Sequence, residues 1–241
     1  MVIPRSFGVE LSTDSAQIIA AMTTHDASHG PGRTPTAVLF DADGVLQRAP
    51  ADLQTRLTQM LGGVLSDREA CMADYFAAEA PCLTGAANFA EALAPVIAKW
   101  KATCEAAALL AAWSTIEVDN SVLAVVAGLR RAGLYCALAS NQEHHRALHM
   151  SETLAYRDVF DREFYSCHLG HMKPSPDYFH EIVRLAELDP ARTLFIDDRI
   201  DNVEAARKAG LQAAQFVLGE MGAGAEPMRR LLAQHGLALT D

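Results

Sequence analysis

In the stretch AVLFDADGVLQ, Ala37 to Gln47, two carboxylates, Asp41 and Asp43, stand directly behind a run of apolar residues and ahead of Gly44. Three later stretches carry comparable chemistry. LYCALASN runs into Ser140-Asn141, GHMKP ends in Lys173-Pro174, and FIDDRIDN carries Asp197-Asp198 with Asn202 four residues on. Each polar group follows a short apolar run and so can stand at the end of a buried strand. Carboxylates gathered in one place repel one another and require a cation. Oxygen donors without His or Cys suit a hard ion, and Mg²⁺ in particular takes a few carboxylates, waters and a phosphate oxygen. Lys173, the Ser140 hydroxyl and backbone N–H groups around Asn141 supply donors for a phosphoryl group. This inventory describes metal-assisted phosphoryl transfer, with a neutralising cation, a positioned nucleophile and a proton shuttle.

The elements that must position these groups are legible in the periodicity. TAVLF, LYCALASN, REFYSCHL, TLFIDD and LQAAQFV are expected as strands, and continuous apolar runs of this kind belong to parallel sheets covered on both faces. Between them, SVLAVVAGLRRAG, HHRALHMSETLA, SPDYFHEIVRLAEL, NVEAARKAG and PMRRLLAQHG are expected as helices, the first closed by Gly133. Alternation of this kind predicts an α/β fold with a doubly wound parallel sheet. Ligands in such sheets bind at the carboxyl ends of the strands, where the four acids, Ser140 and Lys173 fall. Residues 49–117 read as helical throughout, with no convincing strand, and form an insertion over the sheet's edge. The expected organisation is therefore a core of 36–48 and 118–241, a helical cap of 49–117, and a flexible N-terminal tail of 1–35 rich in turn residues.

Composition narrows the partners. Half of the 241 residues are apolar, enough for a sizeable core, and the formal net charge of −10 argues against general nucleic-acid binding, which needs clustered Lys and Arg. A small phosphorylated substrate stays compatible with that charge, because a metal or a local cluster reverses the field inside a cleft. The cysteines Cys71, Cys82, Cys104, Cys136 and Cys167 are scattered and form no CxxC pair. Their spacing suggests neither a disulfide framework nor a zinc site, and points to a reducing compartment. No apolar run is long enough to span a membrane, and MVIPRSFGVELSTDSAQ lacks the apolar stretch of a signal peptide. A soluble cytoplasmic protein, a monomer or homodimer, is expected.

Taken in order, DADGV, the run into Ser140-Asn141, Lys173-Pro174 and FIDDRIDN resemble the four motifs of the haloacid dehalogenase-like hydrolases. The helical insertion between the first two is similar to the small α-helical caps of one subgroup. LASN, GHMKP and FIDDRIDNVEAARKAG are most similar to its sugar-phosphate phosphatase and epoxide-hydrolase phosphatase-domain branch. The resemblance implies a Mg²⁺-dependent phosphatase in which Asp41 is the nucleophile that forms an aspartyl-phosphate. It makes Asp43 the general acid and then the base. It implies that the Asp41 side chain, the Asp43 backbone carbonyl and Asp198 hold the metal, with Asp197 nearby or reaching it through water. Ser140, the Asn141 backbone and Lys173 would grip the phosphoryl oxygens, and Asn202 would be a supporting polar residue.

Departures from the pattern weigh the alternatives. Dehalogenases of this fold lack the second acid of DxD, so Asp43 disfavours 2-haloacid chemistry. The continuation LQRAP after DGV lowers a phosphomutase reading. A retired, non-catalytic binding protein should have lost Asp41, Asp43, Lys173 or Asp198, and all four are present. Elsewhere the bland readings lead. His144 and His145 are expected as solvated first-turn residues, His168 and His171 as loop residues, and Trp100 and Trp113 as packing. Arg48 is placed either against a substrate's distal group or in solvent, and Arg199 at the surface.

Overall fold

The computed structural model describes residues 33–239; most of the expected tail, 1–32, lies outside them. Strand β1 (Ala37–Phe40) leads through β2 (Gln47–Arg48) into five helices. These are α1 (Leu53–Met60), α2 (Arg68–Glu79), α3 (Phe89–Ala92), α4 (Ala94–Trp100) and α5 (Ala106–Trp113). Strand β3 (Glu117–Val118) then returns the chain to α6 (Asn120–Arg131) and β4 (Tyr135–Ser140). Next come α7 (His144–Leu148), α8 (Tyr156–Val159), β5 (Arg162–Tyr165), α9 (Ser166–Leu169) and α10 (Pro176–Ala186). The chain finishes through β6 (Thr193–Asp197), α11 (Ile200–Lys208), β7 (Gln212–Gln215) and α12 (Ala225–Gln234).

Five strands form one parallel sheet in the order β5-β4-β1-β6-β7. The first strand is therefore central. Its side chains alternate between two apolar layers: Val38 and Phe40 pack with Val122, Val125 and Met228 on one face, and Leu39 packs with Phe179, Ile182 and Val203 on the other. This explains why β1 reads as unbroken apolar sequence. Each such fully buried side chain contributes about 1.5–3 kcal/mol, so the register of β1 is strongly fixed. Pairing ends with Phe40 opposite Leu138 and Ile196. Asp41 follows at once, and its N–H donates to the Ile196 carbonyl at 2.9 Å, which extends the strand geometry to the first acid.

Side-chain caps set the helices that flank the site. Asp119 accepts from Ser121 N and Val122 N to start α6, and Glu143 accepts from His145 N and Arg146 N to start α7. The inserted helices bury their own cluster, including Leu53, Leu57, Tyr75, Phe89, Leu93 and Leu109.

Two local differences from the sequence reading stand out. Strand β5 stops at Tyr165, opposite Ser140 where β4 itself ends, and SCHL turns into α9, closed by Gly170 at φ 72°. Without a neighbouring strand to pair with, the chain curls, and the Ser166 hydroxyl accepts from Gln142 N at 3.0 Å. At the base of the insertion, Gln47–Arg48 pairs antiparallel with Glu117–Val118, so residue 117 is strand and not helix.

Candidate active site

The carboxyl ends of β1, β4 and β6 converge on a cavity of about 570 Å³. Asp41, Asp43, Ser140, Asn141, Lys173, Asp198 and Asn202 all line it, while Asp197 lies directly beneath, fully buried. Lys173 is the hub. Its Nζ lies 2.8 Å from Asp41 Oδ1 and 2.7 Å from Asp197 Oδ2, and donates to the Ala139 carbonyl at 2.9 Å. The loop that carries it is pinned by Asn141, whose amide donates to the Lys173 carbonyl and accepts from the Lys173 N–H, both at 2.9 Å. Asn141 thus acts here through its side chain, tying the end of β4 to the lysine loop.

Asp197 is saturated by donors. Besides Lys173 it accepts from Asn202 Nδ2 at 3.0 and 3.1 Å and from Arg199 N at 2.9 Å. Its carboxylate oxygen nevertheless belongs to a set with those of Asp41 and Asp198, all within 4.8 Å of one another. One ammonium does not balance this charge. Burial and then neighbouring Asp197 push the Asp41 carboxyl up to about 7 against the pull of Lys173, and the same two causes raise Asp198. An uncompensated oxygen-only cluster of this kind fits a hard divalent cation. Gly44 lets Asp198 approach: at φ 82° it adopts a left-handed turn, and a Cβ there would fall 2.6 Å from the Asp198 carboxyl carbon.

Asp43 is held differently. Arg146, on α7, donates Nη1 to Asp43 Oδ2 at 2.6 Å and Nη2 to Oδ1 at 2.9 Å, a bidentate pair. Gln142 Nε2 and Gln47 Nε2 add bonds at 2.8 and 3.1 Å. Burial by itself would raise this carboxyl; the guanidinium and the two amides outweigh it and hold the group below its ordinary value. The guanidinium also stands 5.2 Å from the centre of the Trp113 ring, on the insertion. Trp113 Nε1 in turn donates to Glu79 Oε1 at 2.9 Å. An ion-pair and aromatic chain therefore runs from Asp43, just beyond β1, to the inserted helices α5 and α2.

Glu79, Leu83 and Trp113 form the inserted helices' wall of the cavity. Arg48 lines it too, paired with Glu117 at 3.0 Å across the β2–β3 ribbon, and Arg199 lines it while pairing with Asp201 at 2.7 Å. Sequence reading did not single out Gln47, Glu79, Gln142 or Arg146, and gave Trp113 a packing role alone. Gln142 follows the Ser-Asn pair directly, which was the one available signal.

Glu79 carries a pH prediction. Burial pushes its carboxyl from an ordinary 4.5 up to about 7, partly opposed by Arg146 and the Trp113 bond. The folded state thus binds the proton more tightly than the unfolded one. Its stabilising effect is complete below pH 4.5 and is lost as pH rises through about 7. Relative to wild type, Glu79→Gln should gain about 3 kcal/mol between pH 4.5 and 8. Denaturant titrations of both proteins at the two pH values check this; a pH-independent difference contradicts it.

Residues 35–210 match the haloacid dehalogenase-like hydrolase family, and the chain belongs to it. Among curated proteins, the D-ribitol-5-phosphate phosphatase of Bacteroides thetaiotaomicron is 32% identical over 65 residues. That segment is 27% of this chain and 32% of the relative, so the match spans about a third of that protein's length. A crystal structure of a haloacid dehalogenase-family enzyme from the same organism superposes with a TM-score of 0.71 at 19% identity, covering 82% of this chain and all of that one. A complex of that enzyme with magnesium and inorganic phosphate gives 0.67 at 21% identity, over 77% and 96% of the two chains. Both likenesses are of fold.

Proposed function

We propose that this protein is a Mg²⁺-dependent phosphatase that hydrolyses a small phosphorylated metabolite, a sugar phosphate or similar compound, through an aspartyl-phosphate on Asp41. The observation that carries this reading is the meeting of Asp41, Lys173 and Asp198 at one cavity floor, with Asp43 two residues away on the same turn. Family membership, the phosphatase relative and the magnesium–phosphate complex of a structural neighbour support it. Asp41, Asp198 and the Asp43 backbone carbonyl would hold Mg²⁺, with Asp197 behind them. When bound, the ion would neutralise the phosphate oxygens and the nucleophile.

The rest is the work of the chain's own groups. A carboxylate oxygen of Asp41 attacks phosphorus, and the bond from phosphorus to the ester oxygen breaks. Lys173 Nζ, the Ser140 hydroxyl and the Asn141 backbone bind the transferring oxygens. Asp43 protonates the departing alcohol. It then takes a proton from the water that attacks phosphorus, releasing phosphate and restoring Asp41. The Arg146 pair keeps Asp43 ionised and aimed in the state described here, ready for the second step; for the first, Asp43 must carry the proton it donates. Residues 49–117 act as a cap over the cleft, excluding bulk water while the ester is held. A cavity of about 570 Å³ suits a metabolite and leaves no room for a macromolecule.

The test uses the leaving group. Asp43→Asn should slow an alkyl phosphate about a hundredfold, within the usual range for general acid catalysis, and p-nitrophenyl phosphate far less. Nitrophenolate leaves without help, so equal losses on the two esters argue against the assigned acid.

A further inference from the structure

A second group of metal-ligating side chains lies outside the catalytic cavity. His144 opens α7, and Cys167 and His168 lie on α9. One ligand atom from each, an imidazole nitrogen or the Cys167 Sγ, is within 4.8 Å of the other two. The two imidazoles approach with centroids 5.2 Å apart and planes tilted by 35°, and the Tyr165 ring meets His168 edge-on at 5.7 Å. Neither imidazole has a hydrogen-bond partner among the described residues. No acid or carbonyl of the described residues is bonded to either ring, so neither has a partner to give up before it can ligate. Burial and then His144 hold His168 below its ordinary value, and the neutral ring is the ligand form.

We propose that His144, Cys167 and His168 form a binding site for a borderline-soft divalent cation, Zn²⁺ above all. Two imidazole nitrogens and a thiolate are a poor set for Mg²⁺ and a good one for zinc. Zinc takes sulfur at about 2.3 Å and nitrogen at about 2.0–2.1 Å, which places tetrahedral ligand atoms roughly 3.5 Å apart. Both histidines are exposed, and their ligand atoms already lie within 4.8 Å of the sulfur and of each other, so side-chain rotation is the movement that would draw the set to bonding distance. The thiol is the buried member, and burial pushes it up to about 12, while the N–H groups of Cys167 and His168 favour its ionised form. Loading the site therefore releases the thiol proton to solvent as the sulfur–metal bond forms.

Three protein ligands would leave a fourth position for solvent, and a cavity of about 350 Å³, lined by His144 and His168 with Ser151, Glu163 and Tyr165, adjoins the two imidazoles. Water fits there. Glu163 is already engaged, accepting from the Ser151 and Tyr165 hydroxyls at 2.7 Å each. A bound ion would clamp α7 to α9, the two helices that carry Arg146 and Ser166. The insertion abuts the same spot between α2 and α3: a Cβ on Gly85 would lie 3.4 Å from His144 Nε2. The cysteine spacing gave no hint of this site, because its ligands come from two short helices joined only by the fold.

Cobalt tests the site apart from any catalytic reading. With excess Mg²⁺ present, Co²⁺ titrated into the full chain should produce one equivalent of thiolate-to-metal absorption, which one equivalent of Zn²⁺ displaces. His144→Ala and His168→Ala should each weaken Co²⁺ binding at least about tenfold. Cys167→Ser should remove the band, and Asp198→Asn should leave it unchanged. Should the serine variant fail to fold, the two exposed histidines carry the test. Folded protein that gives no thiolate band, or a band that survives loss of both histidines, overturns the proposal.

Discussion

Replacing Asp41 with Asn should abolish phosphate release, by at least about a thousandfold in kcat, while the protein keeps its fold and melting temperature. The amide matches the carboxylate in shape and cannot attack phosphorus, so the covalent route is closed. A thousandfold loss corresponds to about 4 kcal/mol of barrier. Folding survives because Lys173 keeps two other partners, Asp197 Oδ2 at 2.7 Å and the Ala139 carbonyl at 2.9 Å. Burial also makes the Asp41 charge costly, as its elevated carboxyl indicates, so the neutral amide is tolerated. Kinetics on a phosphate ester and a thermal melt of the same sample check both halves. A rate within tenfold of wild type contradicts the nucleophile assignment.

Lys173→Met should have the largest effect on stability, with activity lost as well. The ammonium is almost fully buried between Asp41 and Asp197, whose side chains are only 9% and 0% exposed. Methionine fills much the same volume and leaves the two carboxylates facing each other without a cation. Removing one partner of a buried ion pair costs about 3–5 kcal/mol. Adding Asp197→Asn to Lys173→Met removes one of the stranded charges and should restore part of the loss, a non-additivity expected of side chains in direct contact. Denaturant unfolding in metal-free buffer measures all three proteins. A loss under about 1 kcal/mol for Lys173→Met would mean that the acids find their compensation elsewhere.

The groups that were legible in the sequence share one property: each is local. Asp41, Ser140 and Asp197 end runs of buried strand residues, and a parallel sheet brings strand ends together whatever the loops do. Lys173 precedes Pro174 and the Ser175–Pro176 start of α10, so the strand-to-helix rhythm placed it at the same edge. Arg146 had no such signature. It is one basic residue in a helix whose face is decided only when α7 packs under the insertion, and its partner Asp43 lies 103 positions away. Glu79 and Trp113 meet across 34 residues for the same reason. The early end of β5 was hidden because SCHL is apolar enough to continue a strand, and what ends it is the lack of a pairing partner beyond Ser140.

Measuring inorganic phosphate released from a panel of sugar, polyol and nucleoside monophosphates, with Mg²⁺ and again with excess EDTA, tests the central claim most directly. Release that requires Mg²⁺, favours the small polyhydroxylated esters and disappears in Asp41→Asn is the predicted result. Folded protein that releases no phosphate from any ester, or releases it equally well in EDTA, contradicts the account.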